Sequence, residues 1–124
     1  MERLNQIKQP EIIRTPWVES KYIDDESRFE RLVFNQKKER FDIKLSQRDD
    51  GLWFWAVSCH TDNAGFCYGL FEGCGTYTKE RQEAINAAVL EIVDWVIRDN
   101  KLSNNCVEWL LNITQSIAEQ EELF

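Results

Sequence analysis

Two prolines, one histidine, one methionine and five glycines are all that this chain of 124 residues holds of those types, and each scarcity narrows the field. Both prolines fall in the first 16 residues, so no helix breaker interrupts the remainder. No stretch approaches the roughly 20 apolar residues of a membrane span, and "MERLNQIKQPEIIRTPW" lacks the apolar centre of a secretion signal. The expectation is a cytoplasmic protein without membrane contact. Its four cysteines, Cys59, Cys67, Cys74 and Cys106, are then expected as reduced thiols, and the sequon at Asn112 as a chance match.

Basic residues are scarce in the second part of the chain. Residues 1–48 hold 11 Lys and Arg against 9 Asp and Glu; residues 49–124 hold 4 against 13. That acidic excess repels phosphate backbones, which disfavours direct binding of nucleic acid through it and favours a protein partner with a basic surface. A solvated helix face is the plainer reading of the same charges.

What is present suffices for one folded domain: 43% hydrophobic and 30% charged residues are too apolar for a disordered chain. Residues 1–25 read as an extended arm, since Pro10 and Pro16 oppose regular structure, while Ile12, Ile13, Trp17, Val18 and Tyr22 call for burial on the domain or on a second copy. Residues 26–124 form the domain. "RFERLVFNQ" and "RFDIKLSQR" read as strands, the second alternating Phe41, Ile43 and Leu45 with Asp42, Lys44 and Ser46. Asp50-Gly51 supplies a hairpin turn. "LWFWAVSC" is apolar on both faces and reads as a central strand, and "FCYGLFEG" as the strand that returns.

After "GCGTYT" the period changes from two to 3.6. "TKERQEAINAAVLEIVDWVIRDN" reads as a helix capped by Thr78 with Ile85, Ala88, Val89, Ile92 and Val96 in one stripe. "NNCVEWLLNITQSIAEQ" reads as a second, opened by Asn105 and Glu108 in capping-box spacing, with Val107, Leu110, Leu111, Thr114 and Ile117 inward. The class is α+β: an antiparallel sheet of three or four strands followed by two C-terminal helices packed on one face.

Chemistry concentrates in "GLWFWAVSCHTDNAGFCYGLFEGCG", residues 51–75, which holds all five glycines. Cys59, His60, Cys67 and Cys74 are possible zinc ligands, but their spacing lacks the close pairs of structural sites, and adjacent Cys59 and His60 point to opposite faces of a strand. His60 could activate Cys67 under the orientation of Asp62, yet no strand-to-helix elbow frames a nucleophile. Gly73, Gly75 and Lys79 could hold an anion at a helix start without matching a P-loop or dinucleotide pattern. No enzyme and no cofactor are expected.

Two readings of function follow. In the first, a non-enzymatic binding protein, self-associating through its sheet, docks Glu83, Glu91, Asp94 and Glu108 on a basic partner. In the second, Trp53, Trp55, Tyr68 and Lys79 sequester a small nucleotide-like ligand. The order of strand, "DDGLWFWAVS", third strand, glycine turn and "TKERQEAINAAVLEIVDWV" resembles a sheet-then-helix module of phage and mobile-element proteins, at times fused to ParB-like domains. It is similar also to the antitoxin half of HicB-type toxin pairs, over Phe41 to Val96. The chain departs from that pattern: no Leu-Pro precedes the "GC" turn and no DNA-reading helix pair follows, which puts DNA autoregulation in doubt. The resemblance implies a small non-catalytic inhibitor or antitoxin and carries over no functional residue.

Overall fold

The computed structural model describes residues 2–16, 21–61, 64–99 and 102–114, the side chains of 2, 3 and 96–99 excepted. The expected class is observed. Strands β3 (Glu30–Gln36), β4 (Glu39–Gln47), β5 (Trp53–His60) and β6 (Gly65–Cys67) form an antiparallel sheet in the order β3-β4-β5-β6. Helices α1 (Arg81–Asp99) and α2 (Asn104–Ile113) follow it in the chain.

Alternation in β4 drives Phe41, Ile43 and Leu45 into a core beneath both helices. Ala84, Ile85, Ala88, Val89 and Ile92 of α1 meet them there, joined by Cys106 and Leu110 of α2. The expected α1 stripe is therefore present and wider, while Val96 and Ile117 lie outside the described side chains. On β5 the same core takes Val57 and Cys59, whereas Phe54 and Ala56 point the other way into a second core with Ile23, Leu70 and Tyr77. A strand apolar on both faces is thus covered on both.

The arm supplies part of each cover. It opens with a 3-10 helix, Glu2–Gln6, rather than extended chain, and buries Leu4 and Ile7 against the helix-side core and Ile23 in the second. Ile12 and Ile13 are half-buried and Tyr22 is exposed; Trp17 and Val18 fall outside the described residues. Two short pairings fix the arm: β1 (Ile13–Arg14) with β8 (Thr76–Tyr77), and β2 (Lys21–Tyr22) with β7 (Phe71–Glu72).

Four local expectations need correction. "FCYGLFEG" is not one strand, because after Cys67 the chain turns Leu70 into the second core and then pairs Phe71–Glu72 with the arm. Thr78 is not the cap of α1: it is buried, bridges Trp53, and precedes a helix whose first carbonyl, that of Glu80, accepts from Ala84 N–H at 3.2 Å. Nor do Asn105 and Glu108 open α2, whose cap is Ser103, its side chain accepting from Cys106 N–H at 3.2 Å. In β4, Ser46 is also buried rather than wet, its hydroxyl donating to the Arg28 carbonyl at 2.7 Å.

The β4–β5 turn is as expected. Gly51 has φ of 91°, and Asp50 Oδ1 accepts from Leu52 N–H at 3.2 Å. A Cβ at Gly51 would find its nearest neighbour, Gln47 Nε2, at 3.9 Å, so space is not the obstacle. Only the backbone conformation resists a side chain. Gly51→Ala is expected to cost about 1–2 kcal/mol, read as a lowered urea midpoint with unchanged slope; an unaltered midpoint would show that the turn relaxes freely.

Candidate functional site

Glu83, Glu91 and Asp94 fall within about 80° of one another around α1, at 100° per residue. That face looks toward the arm. Between the two runs a groove of about 600 Å³, with Ala87, Leu90, Glu91 and Asp94 on the helix wall and Gln9, Pro10, Ile12 and Arg14 on the arm wall. Trp55 and Thr76 line it as well.

Glu91 is held at one oxygen. Its Oε2 accepts from Trp55 Nε1 at 2.9 Å and from the Tyr68 hydroxyl at 2.6 Å. Both donors come from the β5 edge, where Trp55 faces the helices and Tyr68 follows β6. Burial, then the hydrogen bond to Glu91 and its charge, push the Tyr68 phenol above its ordinary range, so the hydroxyl stays a donor. Among the described residues Oε1 of Glu91 accepts no hydrogen bond. A carboxylate is thereby fixed in direction with one oxygen to offer.

Glu83 closes the neighbouring part of the α1 face, its Oε2 accepting from Glu11 N–H at 2.9 Å. Glu108 lies apart, exposed on α2. Of the four residues expected to take a ligand, only Trp55 lines the groove. Trp53 is half-buried against the helix-side core, Tyr68 reaches Glu91, and Lys79 is exposed ahead of α1. Gly73 and Gly75, with φ of 91° and 86°, turn the chain between β7 and β8, and the Gly75 carbonyl accepts from Thr15 N–H of the arm at 2.9 Å.

The cysteines do not converge. Cys59 and Cys106 are buried in the helix-side core, whereas Cys67 is exposed. Among the described residues no three of His, Cys, Asp and Glu are placed to hold a metal ion. Burial pushes the Cys59 and Cys106 thiols up to about 12, which keeps them protonated and poor nucleophiles at neutral pH.

No family model, curated protein or solved structure matches this chain. The site is therefore read from its own geometry. Sequence reasoning found Glu91, Asp94 and Trp55 but missed the arm wall, because Arg14 and Pro10 carry no signal for what they will face. It also placed Glu91, Trp55 and Tyr68 in rival readings, whereas the structure joins all three by hydrogen bonds. Among the described residues, no helix is long and apolar enough to cross a membrane.

Proposed function

We propose that the chain is a non-enzymatic binding protein that takes a basic segment of a partner protein into the groove between the arm and α1. One observation carries this reading: Glu91, whose Oε1 accepts no hydrogen bond among the described residues, and Asp94 stand on the same wall of a groove of about 600 Å³. That volume lies within the roughly 300–1,000 Å³ of sites that enclose ligand-sized groups. A guanidinium inserted there would meet Glu91 Oε1 and the Asp94 carboxylate, while Leu90 and Pro10 line the space for its methylene stem. The sheet-then-helix order shared with phage and mobile-element modules fits a protein that acts by occupying another, such as an inhibitor of a nucleic-acid-handling enzyme with a basic channel.

The test is calorimetric titration with a synthetic hexa-arginine peptide at low salt. Glu91→Gln combined with Asp94→Asn is expected to weaken binding about tenfold or more, as for loss of paired charge-assisted bonds. Asp49→Asn with Glu108→Gln removes the same charge elsewhere and is expected to leave most of the affinity. Equal losses in the two double variants would mean that the peptide senses net charge alone, and the groove reading would fall.

A further inference from the structure

The helices cover one side of the main sheet, and the second core covers only the end of the other side that carries Phe54 and Ala56. The remaining half of that side is open. It holds two adjoining hollows of about 390 Å³ each, which share Asp42 and Ser58. Tyr22, Lys44, Tyr68 and Gly69 line the first; Arg31, Arg40 and His60 line the second.

We infer that this open half of the sheet binds a nucleotide-type ligand, a planar heteroaromatic ring carrying a phosphate, with the ring against Tyr22 and Tyr68 and the phosphate on Lys44.

Charge complementarity selects an anion. In a chain of net charge −7, the carboxylate in these hollows is Asp42, and it is engaged by Arg31, whose Nε donates to its Oδ1 at 3.3 Å. Lys44 and Arg40 have no carboxylate partner among the described residues; Lys44 Nζ lies 5.3 Å from the centre of the Phe29 ring. The aromatics select a flat ring. Tyr22 is 52% exposed and Phe71 38%, yet their ring centres are 5.2 Å apart, so two wet rings are held as a pair. Gly69 makes that possible: a Cβ there would come within 2.7 Å of the Phe71 ring and 2.9 Å of Tyr22. Stacking on such rings tolerates any base, and a neighbouring cation supplies the phosphate contact. Asp42 and Ser58 then offer an acceptor and a hydroxyl to polar edges of the ring or sugar. The acidic groove beside α1 is a separate hollow, and its Glu91 meets this site through the Tyr68 hydroxyl, which it holds at 2.6 Å.

A free mononucleotide and one unit of a single strand present the same chemistry, so the titration uses adenosine monophosphate, decathymidylate and inorganic phosphate. Either nucleotide probe is expected to bind with Kd below about 1 mM, the tighter one naming the source. Lys44→Gln and Tyr22→Ala are each expected to weaken it about tenfold, with the thermal midpoint of each variant showing that it is folded. Asp94→Asn, in the groove wall, is expected to leave it unchanged, which separates this site from the groove. The inference is overturned if neither nucleotide binds at millimolar concentration, if phosphate alone binds as well as they do, or if the folded Lys44→Gln variant binds as the parent does.

Discussion

Replacing Tyr77 with alanine is expected to destabilise the protein by about 3–5 kcal/mol. Tyr77 is fully buried at the centre of the second core, set edge-on to Phe54 with ring centres 6.2 Å apart, and the Arg48 guanidinium lies 4.4 Å above its ring. Its hydroxyl oxygen accepts from the buried Gly73 N–H at 3.0 Å. Alanine removes both the packing and that acceptor. Domains have about 5–15 kcal/mol in all, so the variant should begin to unfold at little or no urea. Tyr77→Phe keeps the ring but leaves the Gly73 N–H unpaired, for an expected loss of about 1–3 kcal/mol. Should the alanine variant melt with the parent, the small second core would contribute nothing to holding the arm and the sheet together.

Raising the pH is expected to produce the second large effect. Burial lifts the Cys59 and Cys106 thiols from an ordinary 9.0 to about 12. Below pH 9 both the folded and the unfolded chain keep these protons, and the stability they permit is fully present. Between pH 9 and 12 the unfolded chain releases them while the folded one retains them, so stability falls by up to about 1.4 kcal/mol per pH unit for each thiol. Tyr68, raised in the same direction, adds to the loss once its ordinary value of 10.0 is passed. Urea midpoints taken from pH 8 to 11 should decline, and more gently when Cys59 and Cys106 are both alanine. An identical decline without the two thiols would assign the effect to other groups. A thiol reagent should meanwhile reach Cys67 in the folded protein at neutral pH and leave Cys59 and Cys106 untouched until it unfolds.

The elements that were legible in the sequence are those with a period or a turn code of their own. Phe41, Ile43 and Leu45 alternate, Asp50-Gly51 demands a hairpin, and the α1 stripe repeats at helical spacing. Each is a local pattern with one physical solution. The two-residue strands Ile13–Arg14, Lys21–Tyr22, Phe71–Glu72 and Thr76–Tyr77 are too short to show any period, and they exist only because the arm comes back to meet residues far along the chain. Both helix caps were misplaced for a similar reason, and α2 ends at Ile113, capped by Thr114, where the pattern ran on to Gln120. Thr78 has the chemistry of a cap but is claimed by its bridge to Trp53, and Ser103 takes the capping role one residue ahead of α2. At the candidate site, the acids of α1 could be read from helical spacing. Their partners could not, because Trp55 and Tyr68 meet Glu91 across 36 and 23 residues of sequence. The Tyr22–Phe71 pair was hidden likewise, since it depends on how closely two strand ends approach at Gly69.

The pairing of the arm with β7 and β8 also sets a timetable for synthesis. Residues 13–14 and 21–22 are made before their partners at 76–77 and 71–72 exist. At about 5–20 residues per second, the arm waits for several seconds on the ribosome with Ile12, Ile13 and Ile23 unsheltered. The β3–β4 hairpin, whose strands are neighbours in sequence, needs no such delay. The arm is thus made well before it can be seated, and a chaperone that recognises short apolar stretches has its best opportunity in that interval.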